Sequence, residues 1–226
     1  MQEKSFETIE WSFDPETGTG RIVLNRPDSM NALSTQLRRD LISGFEAYEA
    51  LDNESEGVAV RAVIISGAGD RAFCAGADIN EFEAVRPEII ELQQLYLSIE
   101  EYNAPVIAEI DGYCFGGGLE LALACDFRYA SERSELGQTE VDIGLIPGGG
   151  GTQRLVPLVG PSRTKELCMT GERLSGTQAE REGIVDHVYP SDELADNVEG
   201  FARSIAAKPP LAIQAVKSSV NNALNT

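Results

Sequence analysis

A chain of 226 residues is long for one small domain and short for two, and it can bury a core without disulfide staples. Its 37 acidic residues against 18 basic ones give a formal net charge of −19, a field that repels nucleic acid and anionic membranes and so argues against both as partners. Lys4, Lys165, Lys208 and Lys217 are the only lysines beside fourteen arginines, and the acids are spread along the chain, a composition suited to a halophilic protein kept soluble in concentrated salt.

The first residues, MQEKSFETIEWSF, carry no basic stretch followed by an apolar one, and no later run approaches the roughly 18 apolar residues of a membrane span, so a cytoplasmic protein is expected. RIVLN (21–25), RAVIIS (61–66) and PVIAEI (105–110) read as strands covered on both faces, because they are nearly continuous in hydrophobicity. Between the first two, Ser34 is placed to cap a helix over TQLRRDLISGFEAYEAL, in which Leu37, Leu41, Phe45, Tyr48 and Leu51 recur at helical spacing. A second helix is predicted from Pro87 to about Tyr102, with Ile90, Leu92, Leu95, Leu97 and Ile99 supplying apolar faces. GLIPGGGGTQR (144–154) lacks side chains to pack and reads as a loop, after which SRTKELCMTG, TQAEREG and SDELADNVEGFARSIAA read as helices. The alternation is that of an α/β protein, with a core over residues 1–170 and a helical region over 171–226.

Several chemistries can be set aside. GAGDRA (67–72) fits a loose dinucleotide fingerprint, but a second turn-like stretch, FCAGAD, stands where the helix should open. His187 is the single histidine, so a histidine metal cluster is impossible within one chain, and no G-x-S-x-G elbow accompanies it; it reads as an ordinary surface histidine. Cys74, Cys114, Cys125 and Cys168 form no C-x-x-C pair and read as thiols of an intracellular protein.

What remains is a site of backbone amides and carboxylates. AFCAGADI (72–79) and CFGGGLEL (114–121) place small residues where the backbone can approach a ligand, each before an expected helix start whose N–H groups have no partner inside the helix. Two such amides on one oxygen make an oxyanion hole, although plain tight turns would look the same in sequence. Glu120 follows the glycines, where it could also be a helix-end partner, and Glu140 lies in GQTEVDIGLIPGGGG, where it could be a solvated loop acid. Taken as a pair beside amide donors, they suit proton transfer at carbon next to a carbonyl.

NRPDSMNAL (25–33), AFCAGADI, PVIAEIDGYCFGGGLELALACD and LGQTEVDIGLIPGGGGTQRL, in this order and spacing, resemble the enoyl-CoA hydratase/isomerase, or crotonase, family. The resemblance implies a crotonase-like fold, in which ββα turns form a superhelix with a helical C-terminal region, assembled as a homotrimer or homohexamer. It also implies an acyl-CoA thioester substrate and no metal or redox cofactor. Residue by residue it places the oxyanion hole at Ala77 and Gly117, the catalytic pair at Glu120 and Glu140, and substrate or CoA contacts at Arg71, Ala75, Asp78, Ile79 and Gly148. Asn80 stands where many members carry lysine, and members continue past VKSSVNNALNT with further helices, so either a tail is missing beyond residue 226 or the site is completed differently. Hydration is the reaction expected where both acids are retained; an isomerase, a nicotinamide oxidoreductase resting on GAGDRA and a noncatalytic binding member are the alternatives.

The charge makes its own prediction. Counterions screen self-repulsion, so the unfolding midpoint should rise strongly from low to molar potassium chloride, and a flat or falling curve would remove the halophilic reading.

Overall fold

Three antiparallel strands open the chain: β1 (Gln2–Ser5), β2 (Ile9–Asp14) and β3 (Thr19–Leu24). β3 then lies parallel to β4 (Ala62–Gly67), and β6 (Val106–Ile110), β8 (Phe127–Ser131) and β11 (His187–Tyr189) extend the same sheet to seven strands in parallel. A second sheet has the order β10 (Leu174–Ser175), β9 (Glu135–Gly137), β7 (Tyr113–Phe115), β5 (Ala72–Cys74). The structure, a computed structural model, describes residues 1–55, 57–78, 81 and 85–224.

Three times the chain passes from the large sheet to the small one and then into a helix: β4 and β5 lead to α2 (Val85–Glu101), β6 and β7 to α3 (Gly117–Ala124), β8 and β9 to α4 (Gly151–Thr170). This is the expected ββα repeat. Each repeat buries apolar residues from both of its strands, so stacking the repeats makes one continuous core between the sheets. The period of two along β4 shows how both faces are used: Val63 and Ile65 enter that core, while Ala62 and Ile64 enter a smaller one capped by Leu194, Val198 and Ala202 of α6 (Ser191–Ala206).

The predicted helix after Ser34 is α1 (Thr35–Glu54), and the Ser34 hydroxyl accepts from Leu37 N at 3.2 Å. Just before it, Met30 and Asn31 adopt left-handed φ of 51° and 55°. Asn is among the residues that tolerate this region, and the fully buried Asn31 uses it well: its amide donates to Ala68 O at 3.0 Å and Ala72 O at 2.8 Å, and its carbonyl accepts from Arg26 N. One side chain thereby pins this loop to the connection between β4 and β5.

GAGDRA, as its sequence context led us to expect, opens no helix: it runs from the end of β4 to the start of β5, which removes the dinucleotide reading and its oxidoreductase alternative. Other expectations need correction. GTQR (151–154) is the first turn of α4, not loop. On α2, Leu92, Leu95 and Ile99 are buried, but Ile90 and Leu97 are exposed, and Leu97 lines the cavity described below. After residue 170, β10 joins the small sheet and β11 the large one, and from Ser191 the regular elements are helices, α6 and α7 (Pro210–Leu224). The remaining helix, α5 (Gly176–Arg181), follows β10 with a Ser175 and Gln178 capping box.

α7 is fixed by an ion pair from the buried Lys217 to Asp126 at 2.7 Å and by Asn221 donating to Glu100 O at 3.0 Å. His187 is exposed on β11, its ring set edge-on against Tyr129. Burial pushes the Cys74 thiol up to about 12, which makes it an inert core group. Among the described residues no helix is long and apolar enough to cross a membrane.

Candidate active site

Three neighbouring parallel strands bring the three sequence motifs to one place. β5, β7 and β9 lie side by side, and the chain leaves their C-terminal ends at Ala75, Gly116 and Gln138. Ala77, Gly117 and Glu140 each follow within three residues, so segments separated by about twenty to forty positions in sequence share one rim. Their exits open on a cavity of about 1580 Å³ that Ala77, Gly117, Glu120, Glu140 and Gly149 help to line.

Ala77 and Gly117 approach through their backbones. Leu33 bridges Ala77 by donating to Gly76 O at 2.8 Å and accepting from Asp78 N at 3.3 Å, so the bridge leaves the Ala77 N–H itself without a partner among the described residues. Gly117 is the first residue of α3, where an N–H has no intrahelical acceptor. A Cβ built on Gly117 would lie 3.5 Å from Ala77 N, which puts the two segments in contact. Gly116, with φ of 51°, makes the sharp entry into α3 that this requires. The Ala77 amide is therefore offered by a bridged segment; the helix start expected after it falls on residues 79–84, most of which lie outside the described residues.

Glu120 sits one turn into α3 with 1% of its surface exposed. Its Oε1 accepts from Gly149 N and Gly151 N, both at 2.8 Å. Burial holds the carboxyl above the usual range, while these amides and the charge of Arg154 pull in the opposite direction. Glu140 begins a short 3-10 turn (Glu140–Ile143) and is half-buried. Loss of solvent raises its carboxyl to about 7, and the nearby charge of Glu120 adds to the rise. Gln138 is buried two residues earlier; with its amide turned to satisfy both neighbours, its nitrogen stands 3.0 and 3.1 Å from the two Glu140 oxygens.

The other expected contacts fall in two groups. Ala75, Asp78 and Gly148 line the cavity: Ala75 N donates to Met30 O at 3.0 Å, Asp78 pairs with Arg26 at 3.0 Å, and Gly148 O accepts from Gln93 at 2.7 Å. Arg71 is exposed at the opposite end of β5, outside the cavity lining. Ile79 lies outside the described residues, as does Asn80.

A profile of the enoyl-CoA hydratase/isomerase family matches residues 14–226. The chain belongs to that family. The putative enoyl-CoA hydratase/isomerase YngF of Bacillus subtilis is 40% identical over 210 residues, covering 91% of this chain and 78% of the relative. A crotonyl-CoA hydratase of Syntrophomonas wolfei is 38% identical over 216 residues, covering 91% and 78%. The crystal structure of an enoyl-CoA hydratase from Bacillus anthracis superposes with a TM-score of 0.89 at 38% identity, covering 97% of this chain and 84% of that one. Membership of the family accounts for the ββα repeat and for the order of the motifs around the rim.

Sequence reading missed the groups that hold the carboxylates. Tyr96, fully buried on α2, donates to Gly117 O at 2.5 Å, and Arg154 reaches both Gly149 O and Glu100. None of these contacts is local, so no spacing announces them. Gln138 is nearer in sequence, two residues before Glu140, but it lies past the end of β9 and Thr139 between them is not extended (φ −98°, ψ 8°), so strand alternation does not announce it either.

Proposed function

We propose that this protein is an enoyl-CoA hydratase, which adds water across the conjugated double bond of a trans-2-enoyl-CoA thioester to give a 3-hydroxyacyl-CoA. The observation that carries the reading is the pairing of the buried Glu120 and the half-buried Glu140 on one cavity with the amides of Ala77 and Gly117.

In this reading the thioester oxygen accepts from the Ala77 and Gly117 N–H groups. Withdrawing density through the carbonyl makes the β-carbon electrophilic and stabilises the enolate that forms. Glu120, as carboxylate, orients a water and takes one of its protons as the oxygen bonds to the β-carbon. Glu140, as the acid, gives its proton to the α-carbon. The pair is left with its proton exchanged between partners and resets through solvent. Burial raises both carboxyls, the charge of Glu120 raises Glu140 further, and the loop amides with Arg154 draw Glu120 back, which favours Glu120 as base and Glu140 as acid.

The pH dependence follows in sign. Glu140 must hold a proton, so kcat/KM for hydration should fall as pH rises through about 7. Stability shows the same group. Its folded value lies above the ordinary 4.5, so the folded state binds more protons between about 4.5 and 7, and the contribution of Glu140 to stability declines across that window and stays low above it. Glu140→Gln should therefore melt higher than the wild type at pH 8 and alike at pH 4. Equal midpoints at pH 8 would place the Glu140 carboxyl in a solvated site.

Crotonyl-CoA hydration, followed by loss of the conjugated thioester absorbance, tests the assignment directly. Conversion of a 3-enoyl-CoA without hydration of crotonyl-CoA would assign the chain to isomerisation instead.

A further inference from the structure

We propose that Arg154, held by Glu100, is a positioning residue that seats Glu120 in the glycine loop as the proton acceptor of the pair. The inference rests on the hydratase reading for the name of the reaction, but its geometry stands apart from it. Glu120 is gripped by a loop without side chains, Gly148 to Gly151, through the Gly149 and Gly151 amides. A flexible loop can hold a carboxylate in one place only if something else holds the loop.

Arg154 does so from the first turn of α4. Its Nη1 donates to Gly149 O at 2.9 Å, so one residue is held on both sides: its carbonyl by Arg154 and its N–H by Glu120. The rest of the guanidinium is fixed by Glu100 of α2, whose Oε2 accepts from Nε at 3.0 Å and from Nη2 at 2.7 Å. The packing leaves no slack. A Cβ on Gly150 would lie 2.2 Å from Arg154 Nη1, and one on Gly149 would lie 2.3 Å from the Tyr96 ring and 2.6 Å from Glu120 Oε2. Gln93 closes the near end of the loop on Gly148 O at 2.7 Å. Gln93, Tyr96 and Glu100 are spaced i, i+3, i+7, one face of α2, so a single helix face addresses Gly117 and the loop together.

The cation also acts on charge. Among the described residues, the titratable groups that face Glu120 are Tyr96 from α2, Glu140 from the turn after β9, and Arg154 and Cys168 from α4. Arg154 is the one cation in that set. It favours the ionised form of Glu120 over that of Glu140, and so decides which member of the pair begins as base.

Arg154→Met and Arg154→Lys separate the two contributions. The carboxyl titration of Glu120 is read in the substrate-free protein by infrared difference against Glu120→Gln, and kcat and KM for crotonyl-CoA are read across pH. Arg154→Met should titrate Glu120 at higher pH, move the low-pH limb of kcat/KM in the same direction, and lower kcat by roughly 10–100-fold, the scale of a displaced catalytic group. KM should change by no more than about threefold, since the substrate contacts remain. Arg154→Lys keeps the charge and loses the fork, so Glu120 should titrate near its wild-type position while kcat recovers only in part. If Arg154→Met does not fold, Arg154→Gln carries the same comparison.

A role confined to stability would lower the melting temperature of these variants and leave the Glu120 titration and the pH limb in place, and that result would overturn the proposal. A wild type that does not hydrate crotonyl-CoA would refute the hydratase reading, while the titration still decides whether Arg154 governs Glu120.

Discussion

Glu120→Gln and Glu140→Gln should each lose roughly 10²–10⁴ in crotonyl-CoA hydration while the substrate still binds, a barrier increase of about 3–5 kcal/mol. The fold should survive both changes for identifiable reasons. An amide oxygen at position 120 can still accept from Gly149 N and Gly151 N, so the glycine loop keeps its anchor. At position 140 the Gln138 amide can turn to meet the new donor, at the cost of one rearranged contact on a half-buried side chain. What each variant lacks is a group that can exchange a proton. If Glu120 were only a helix-end partner of α3, its replacement would cost at most about 1 kcal/mol of stability and spare the chemistry. The double variant should fall well short of the product of the two losses, because base and acid act in one sequence. Near-normal turnover in either single variant would sink the two-glutamate mechanism and leave a noncatalytic or isomerising member of the family.

How much of this was legible in the sequence depends on the range of the interaction that fixes each feature. Ser34 announces α1 because its hydroxyl acts three residues away, and AVIISG announces β4 because both faces of that strand are dry. The glycine and acid motifs were visible as chemistry. Their meeting was not, because it depends on β5, β7 and β9 pairing in one small sheet, and strands of three residues carry almost no periodic signal. The same shortness hid β10, which adds an edge strand to the small sheet after residue 170. GTQR read as loop because three more glycines precede it, yet Gly151 begins α4 with its N–H directed at Glu120; the local signal was outweighed by a partner 31 positions away. Arg154 and Glu100 look in sequence like any acidic and basic residues on helices, and 54 positions separate them. Their connection to the glycine loop exists only in three dimensions.

Replacing Gly117 with Ala should cost about 10²–10³ in turnover, the scale of one oxyanion donor, with little loss of stability. The prediction rests on a contrast among glycines. Gly118 has no room at all: its Cβ would lie 2.1 Å from Cys74 O, so Gly118→Ala should disrupt the packing of α3 on β5. Gly200, on α6, would meet nothing within 4 Å, so Gly200→Ala should leave activity unchanged and gain slightly from helix propensity. Gly117 lies between these limits. Its φ is not in the left-handed range, and a methyl there would stand 3.2 Å from Tyr96 Oη, 3.3 Å from Leu33 Cδ1 and 3.5 Å from Ala77 N, contacts that a few tenths of an ångström can relieve. The protein can therefore fold around the methyl. The relief must come from Tyr96, Leu33 or the Ala77 segment, and two of these three position the amides: Tyr96 holds the Gly117 carbonyl, and Leu33 bridges Ala77. Moving either spreads the two N–H groups that the thioester oxygen needs at once. A Gly117→Ala protein with wild-type melting temperature and wild-type turnover would reduce the triple glycine to a tight turn and leave the polarisation of the thioester to other groups.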